Sequence, residues 1–341
     1  MVNTIIASVV LFGLLIFAHE LGHFIAARRA GIHVIEFAIG FGPKLLAGER
    51  NGTRYSLRAF PLGGFCRMLG EEPDEIVEDG SFQSKPILSR IGVIAAGPLM
   101  NFILAILLFF LIFFFITGVP LTGSTVIGLV TPEGPADRAG LQQGDALVSI
   151  NGVKVEDWSG VVTQINAHPA QEISIVFERS GELRQLTVPT IKDEQTGRGL
   201  IGIAPQQKKF SFFSSLYFGF TNTIGFIKLI FVSLWQMLTG QIPADVAGPV
   251  GIVMVVNQVV KSGIENFFSL AAIISINLGI INLLPIPALD GSRLVFLTLE
   301  GIRGKPVDPQ KEGFIHFVGF TILILLMILI AYQDITRLNL L

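Results

Sequence analysis

The sequence predicts a polytopic α-helical membrane protein of about four transmembrane helices, with a membrane-associated β-region and an inserted α+β domain. Of its 341 residues, 51% are hydrophobic and only 15% are charged, whereas a water-soluble domain carries about 25% charged residues. Several apolar stretches reach the roughly 20 residues that a helix needs to cross a bilayer. Between them lies a long stretch of ordinary soluble sequence, which indicates a separate globular domain.

Charge and cysteine content narrow the range of partners. The net charge is −2 and the basic residues form no dense run, so no nucleic-acid partner is expected. The single cysteine, Cys66, has no internal disulfide partner, so lipid and side-chain packing are expected to hold the fold. The lipid bilayer is therefore the first predicted partner.

The first predicted transmembrane helix spans residues 1–30. Its apolar run has no basic residues before it and no small-residue cleavage site after it, so we interpret it as a retained span. Arg28 and Arg29 follow the run, whereas Met1–Thr4 carry no side-chain charge. The positive-inside tendency then places the N-terminus outside and residue 28 on the cytosolic side.

The next two predicted segments are a β-region and a second helix. Residues 31–90 mix glycine-rich turns with β-type runs such as Thr53–Leu57, which indicates a cytosolic-side β-region that enters the membrane. Residues 91–119 form the second predicted transmembrane helix, which is strongly apolar from residue 99 onward.

The inserted domain is predicted at residues 120–206. Short runs of alternating polarity and an Asn151-Gly152 turn are typical of an α+β domain. The predicted strands are Val126–Val130, Ala146–Ile150, Ile173–Glu178 and Leu183–Val188.

Residues 207–265 are predicted to be an amphipathic surface segment. Its residues 211–239 are apolar and aromatic enough for a span, but Lys228 lies in the middle, which favours a helix on the outer surface. A further crossing stays open as the alternative. Such a crossing would move Asp290 to the opposite side of the membrane from His19.

The third predicted transmembrane helix spans residues 266–299 and is expected to be broken. Polar side chains and prolines are costly in lipid unless they are buried in protein or line a polar cavity. This segment contains Asn277, Asn282, Pro285 and Pro287. Residues 300–341 are predicted to form a cytosolic loop and the fourth transmembrane helix.

A zinc-binding pattern occurs in the first helix, at His19-Glu20-Leu21-Gly22-His23. The two imidazoles lie four residues apart on one helical face, which suits two positions of tetrahedral zinc. Glu20 is then placed to act as the general base on a zinc-bound water. A chance match is the alternative, but a glutamate within an apolar span costs about 3 kcal/mol and is rare without a function.

Zinc needs a third protein ligand, and Asp290 is the predicted one. The remaining histidines lie in segments poorly placed to reach the motif, at His33, His168 and His316. Among acidic residues, the predicted apolar spans contain only Glu20 and Asp290. Two neutral imidazoles and one carboxylate leave zinc with a charge of +1, which Glu20 largely neutralises. A helix-end cap at the lipid interface is the alternative for Asp290.

Together these motifs resemble the site-2 protease family, specifically its bacterial regulator-of-sigma-E type. Besides the histidine motif, the resemblance rests on Asn282-x-x-Pro285-x-x-x-Leu289-Asp290-Gly291, Gly97-Pro98-Leu99-Met100-Asn101, Gly40-Phe41-Gly42 and Pro61-Leu62-Gly63-Gly64-Phe65. It covers essentially the whole chain. It implies a zinc-dependent intramembrane endopeptidase, multi-pass in the bacterial inner membrane, with its active site toward the cytosolic side.

The resemblance also implies substrates and residue roles. The expected substrates are membrane proteins with a single transmembrane segment, such as anti-sigma factors or remnant signal peptides. The implied zinc ligands are His19, His23 and Asp290, and Glu20 is the implied base. Asn282 is expected to contact the substrate backbone or stabilise the oxyanion. Asn101 is a second substrate-binding candidate, with a structural helix cap as the alternative.

The inserted domain resembles a circularly permuted PDZ domain of the bacterial protease type, on residues 135–145 and Val148-Ser149-Ile150-Asn151-Gly152. This implies a carboxylate-binding loop at Thr125–Gly128 and a groove for a peptide C-terminus, unless the groove is an unused part of the fold. Proteins of this type carry two tandem PDZ domains, and this chain has room for one. We expect the domain to lie outside and to select substrates by the size of their external portion.

Two further expectations concern the β-region and a rival function. An edge strand within residues 53–67 is expected to pair with the unwound substrate, whereas a hairpin that only plugs the cytosolic side is the alternative. The rival function is a membrane-anchored PDZ binding module with a non-catalytic metal site. Three protein ligands leave one zinc position for water, which disfavours that reading.

Overall fold

The computed structural model describes residues 2–71, 78–194, 196–242 and 248–337. Met1 and residues 72–77, 195, 243–247 and 338–341 of the predicted segments lie outside the described residues. The helices are α1 (Val2–Arg29), α2 (Ile87–Leu111), α3 (Pro135–Ala139), α4 (Trp158–Asn166), α5 (Phe212–Leu238), α6 (Pro249–Ser262), α7 (Ile264–Leu283), α8 (Asp290–Arg303) and α9 (Pro309–Arg337).

The chain forms two compact units, one of Met1–Ile112 with Phe212–Leu341 and one of Phe113–Ser211. The strands are β1 (Val34–Arg50), β2 (Thr53–Met68), β3 (Gly118–Pro120), β4 (Ile127–Val130), β5 (Ala146–Ile150), β6 (Val153–Lys154), β7 (Glu172–Arg179), β8 (Glu182–Pro189), β9 (Ile191–Lys192), β10 (Gly199–Leu200), β11 (Ile203–Pro205) and β12 (Gln207–Lys209). The first two belong to the helical unit.

Five helices of the described chain are long and apolar enough to cross a membrane. Four of them fall in the predicted spans: Val2–Arg29, Ile87–Ile116, Ile264–Leu283 and Gln310–Thr336. The fifth is α5, the segment that the sequence places on the outer surface. Length and composition therefore admit one helix more than the sequence predicts.

Helices α1, α2 and α7 pack through small residues, as helices in lipid do when their backbones approach closely. A Cβ atom on Gly22 of α1 would collide with the backbone of Ala96 in α2. On the other face of α2, Gly279 of α7 leaves room for the ring of Phe102, and the Ser275 hydroxyl donates to the carbonyl oxygen of Asn101 at 2.7 Å. This packing sets the second half of α1 against α2 and holds α2 against α7.

The predicted break in the third span lies between α7 and α8. Ala288 in this connection has a positive φ of 76°, and its N–H donates to Nδ1 of His316 in α9 at 3.0 Å. Gly319 of α9 lies directly against Pro287. The break makes Asp290 the first residue of α8, so its carboxylate lies where the chain turns back into helix.

The β-region is a small antiparallel sheet in which each long strand folds back on itself. Phe37 pairs with both Cys66 and Tyr55, and Tyr55 also pairs with Gly48. The order across the sheet is therefore 64–68, 34–39, 53–57 and 44–50. The prediction of an edge strand is wrong for residues 53–57, because strands pair with them on both sides. The edges are residues 44–50 and 64–68.

The second unit is an α+β domain with a core of aliphatic side chains and Trp158. Its four-stranded sheet has the order β6-β5-β7-β8, and β4 pairs with β11. The four predicted strands are confirmed as β4, β5, β7 and β8 within one residue at each end. Helix α4 begins at Asp157, whose carboxylate accepts from the N–H of Gly160 at 2.7 Å, as an N-cap does.

Candidate metal centre

Three predicted ligands meet where α1 and the start of α8 come together. Oδ2 of Asp290 lies 3.1 Å from Nε2 of His19 and 3.4 Å from Nε2 of His23. The two Nε2 atoms are 3.3 Å apart. Within the described ranges, these three side chains form the cluster able to hold a metal ion.

The spacing of the three donor atoms fits tetrahedral zinc. With zinc–nitrogen and zinc–oxygen bonds of about 2.0 Å, neighbouring ligand atoms of a tetrahedron lie about 3.3 Å apart. The observed separations are 3.1, 3.3 and 3.4 Å. Oδ2 of Asp290 is shielded from solvent and accepts no hydrogen bond among the described residues, which is costly for a carboxylate unless a cation binds there.

Each imidazole is oriented by a partner on α2. Nδ1 of His23 lies 2.9 Å from the carbonyl oxygen of Val93, so this nitrogen carries the proton and Nε2 keeps its lone pair for a metal. The ring of His23 also lies directly against Gly97, where even a Cβ atom would collide with it. The glycine of the second-helix motif therefore makes room for a ligand.

His19 is oriented by Asn101, which is fully buried in α2. The side-chain amide of Asn101 lies 3.2 Å from Nδ1 of His19. The amide oxygen and nitrogen are assigned by their surroundings, and a metal on Nε2 requires the oxygen to accept from the Nδ1–H of His19. Asn101 thus touches a ligand, whereas the sequence predicts contact with substrate.

Glu20 lies beside the cluster without belonging to it. It is half-buried, and a Cβ atom on Gly64 of β2 would lie 3.2 Å from its Cγ. Gly64 belongs to the sheet edge 64–68. Glu20 therefore lies beside both the predicted metal ligands and the strand that forms this edge of the sheet.

Three further residues lie away from the three predicted ligands: Asn282, predicted to bind substrate, and His33 and His168, which the sequence analysis rejects as ligands. Asn282 is half-buried in the last turn of α7, and its side chain makes no hydrogen bond within the described part of the chain. His33 packs against Gly52 of the β-region, and His168 bonds within the second unit to the carbonyl oxygen of Gln164. The prediction that neither is a ligand agrees with these positions.

His316 is a residue whose role the sequence reasoning missed. It accepts from Ala288, two residues before Asp290, and so fixes the connection that carries the third ligand. No local sequence signal identifies this role, because Ala288 precedes His316 by 28 residues and helix α8 lies between them.

The backbone of Thr125–Gly128, the predicted carboxylate-binding loop, is paired on both sides, and carboxylate binding there stays a prediction. The carbonyl oxygen of Thr125 accepts from the N–H of Leu147, and Ile127 pairs with Pro205 on the other side. Both backbone edges of this segment are used, so a peptide cannot add to it as a strand. Among the described strands of this domain, β11 pairs with β4 alone, and β6 and β8 are the outer strands of the four-stranded sheet.

The chain is similar to proteins of known type over nearly its full length. The family model of Peptidase family M50 matches residues 7–326. The chain is 37% identical to the regulator of sigma-W protease RasP of Bacillus subtilis (strain 168) over 422 residues, covering 99% of each protein. It is 38% identical to the zinc metalloprotease RasP of Geobacillus kaustophilus (strain HTA426), covering 98% of each.

The chain is also similar, over part of its length, to a solved PDZ domain. That structure is the PDZ domain of an SdrC-like protein from Listeria monocytogenes, at 20% identity and a TM-score of 0.22, covering 26% of this chain and 90% of that one. The alignment with the Bacillus subtilis relative runs over 422 residues, whereas this chain has 341, so the relative holds residues that this chain lacks. The matches over the full length decide the family: the chain belongs to Peptidase family M50, the site-2 proteases, and is a zinc metalloprotease.

Proposed function

We propose that His19, His23 and Asp290 hold the zinc ion of this intramembrane endopeptidase and that Glu20 is its general base. The observation that carries the proposal is the convergence of three donor atoms at separations of 3.1 to 3.4 Å, with a glutamate beside them that is not a ligand. Two ligands come from an apolar helix and the third from a break between helices. The bond to be cut therefore lies at membrane depth.

The residues of the chain divide the catalytic work. Bound zinc supplies a Lewis acid and lowers the pKa of its water toward 7. Glu20 accepts the proton from the attacking water and returns it to the leaving amine. The carbonyl oxygen of Val93 and the amide of Asn101 hold the two imidazoles in the tautomer that keeps Nε2 free.

The substrate must be unwound before hydrolysis, because a helix shields its own peptide bonds. We assign this role to residues 64–66 of the sheet edge, since Gly64 lies beside Glu20 and a described strand pairs with these residues on one side only. An added strand replaces the lost helical hydrogen bonds. Asn282 holds the substrate from the α7 side, and its unpaired amide supports this role.

The topology we propose has four spans, with the metal centre near the cytosolic side. Asp334 lies about 27 Å along α9 from His316, and Thr4 lies about 22 Å along α1 from His19. Both contact α6: Asp334 accepts from the N–H of Gly251 at 2.8 Å, and Thr4 donates to Asn257 at 2.9 Å. Helix α6 therefore lies on the outer side.

Helix α5 begins on that same side. The ring of Phe212 contacts Phe110, near the outer end of α2, with ring centres 5.2 Å apart. If α5 crossed the membrane completely, the chain would have to cross back before Pro249, because α6 begins there on the outer side. This supports a surface position for the segment and three crossings before Asp290, by α1, α2 and α7.

Cysteine accessibility tests the topology. Single cysteines at positions 209 and 241, in a Cys66→Ser background, should react with an impermeant thiol reagent from the same side of the membrane. Labelling from opposite sides would contradict the four-span arrangement.

The substrates we propose are single-span membrane proteins of the bacterial cytoplasmic membrane, such as anti-sigma factors or remnant signal peptides. The name of the Bacillus subtilis relative, regulator of sigma-W protease, supports the first class. The PDZ-like unit would lie outside. Strand addition of a peptide C-terminus requires an edge strand, and β6, β8 and β11 are edge strands of the described domain.

A glutamine at position 20 tests the chemistry. Glu20→Gln keeps all three ligands and removes the base, so hydrolysis of a membrane-segment substrate should fall at least about 10²-fold while bound zinc stays near that of the parent. Metal analysis and cleavage of one substrate, each with and without a zinc chelator, provide the readouts. A variant that cleaves as fast as the parent would exclude Glu20 as the base.

A further inference from the structure

A cavity of about 410 Å³ lies next to the metal centre, between α2, α8 and the start of α9. Several residues that line the cavity lie close in sequence to the proposed ligands or to the residues that orient them. Arg293 follows Asp290 by one helical turn, Ile94 follows the residue that orients His23, and His316 holds the connection before Asp290. The cavity volume falls within the range of about 300–1,000 Å³ typical of ligand sites.

Most charges in this cavity are already paired. Arg90 donates to both carboxylate oxygens of Glu300, at 3.1 and 2.5 Å. Arg293 pairs with Glu71, which also accepts from the N–H of Met68 at 3.2 Å. Each arginine thus has a carboxylate of its own, and each pair joins two different segments of the fold.

Glu312 is the carboxylate that remains. Its nearest basic atom among the described residues is Nε2 of His316, at 3.7 Å. Arg293 interacts electrostatically with Glu312 as well, but its guanidinium is already paired with Glu71. The described lining therefore carries two guanidinium groups against three carboxylates. With His316 neutral, one negative charge is left, on a side chain 34% exposed.

The position of the cavity connects this charge to a substrate. Leu297 of α8 packs with Ala27 and Ile32, at the arginine-rich end of α1. In the proposed topology this end faces the cytosol. Membrane proteins carry an excess of lysine and arginine beside the cytosolic ends of their spans, so a substrate in the site brings a cationic side chain to this depth.

We propose that the cavity is a subsite for a lysine or arginine on the cytosolic flank of the substrate, with Glu312 as the carboxylate that binds it. The inference rests on the proposed function and adds a specificity determinant to it. Apolar lining from Phe82 and Phe296 suits the methylene stem of such a side chain. Glu312 belongs to α9 and is not placed in the catalytic machinery, so it acts on selection rather than on hydrolysis itself.

The test compares three substrates that differ only in the cytosolic flank, which carries two lysines, two glutamines or two glutamates. The parent should favour the lysine flank over the glutamine flank by about three- to tenfold in kcat/KM. Glu312→Gln should bring this ratio close to one. Glu312→Lys should reverse the order and favour the glutamate flank, an exchange that a purely structural role would not produce.

Asp79→Asn is the matched control, because Asp79 is a fully exposed carboxylate on the same side of the fold and does not line the cavity. It should keep the flank preference of the parent. An unchanged preference in Glu312→Gln, or a parent that hydrolyses all three substrates equally, would overturn the subsite alone. A parent that hydrolyses none of them would overturn the proposed function, and the subsite with it.

Discussion

Each of the two compact units contains an aspartate that is shielded from solvent, Asp145 in one and Asp290 in the other, and the two carboxylates differ in their hydrogen bonding. In the PDZ-like unit, Asp145 is 1% exposed and receives two hydrogen bonds from the guanidinium of Arg179, at 2.6 and 2.7 Å. These bonds raise the pKa of the Arg179 guanidinium. In the helical unit, Oδ2 of Asp290 faces two imidazole nitrogens and accepts no hydrogen bond among the described residues.

The difference separates a structural charge from a functional one. A buried ion pair with complete hydrogen bonding compensates its own desolvation, so Asp145 needs nothing from outside the chain. Asp290 and its two histidines direct lone pairs at a common point, an arrangement that becomes favourable only with a cation between them. Zinc binding should therefore stabilise one unit and leave the other unchanged.

The largest effect is expected from Asp290→Ala. The variant loses the only charged ligand, so bound zinc should fall well below one ion per chain and cleavage should be lost. Added zinc should raise the unfolding temperature of the parent and not that of the variant. Metal analysis and thermal unfolding in detergent measure both. Full zinc content in Asp290→Ala would mean that another side chain, with His33 the first to examine, is the third ligand.

The next effect should appear in the other unit. Arg179→Met leaves Asp145 buried without its partner and should destabilise the PDZ-like unit by about 3 kcal/mol, with zinc content unchanged. Faster hydrogen exchange confined to residues 113–211 of the full chain measures it. Adding Asp145→Asn to this variant should recover part of the loss, because the remaining side chain carries no charge. Equal exchange in parent and variant would show that the pair is not structural.

The smallest effect should come from Asn101→Ala, which removes an orienting partner and keeps every ligand. Zinc affinity should fall about 10- to 100-fold, and saturating zinc should restore much of the activity. Ser275→Ala is the matched control, since the Ser275 hydroxyl donates to the backbone oxygen of Asn101 and not to its side chain. If Asn101 instead binds substrate, as the sequence predicts, KM would rise while zinc affinity stays the same.

Short sequence patterns predicted those features that depend on neighbouring residues alone, namely the pairing of the two histidines on one helix and the break before Asp290. The spacing of His19 and His23 follows from one helical turn, and Pro285 and Pro287 predict the break before Asp290. The edges of the β-region could not be predicted, because repeated shifts in strand register decide which residues pair twice. The pairing of Thr125–Gly128 on both sides could not be predicted either, because its partners lie far away along the chain.

The separation of the proposed ligands along the chain determines when during synthesis the metal site can form. Two of the proposed ligands are synthesised at positions 19 and 23, and the third only at position 290. At translation rates of roughly 5–20 residues per second, about 13–53 seconds pass between position 23 and position 290. During that interval the nascent chain carries two of the three proposed ligands and no complete hydrolytic centre. A protease that shares its membrane with every protein being inserted beside it thus stays inactive until residue 290 has been synthesised.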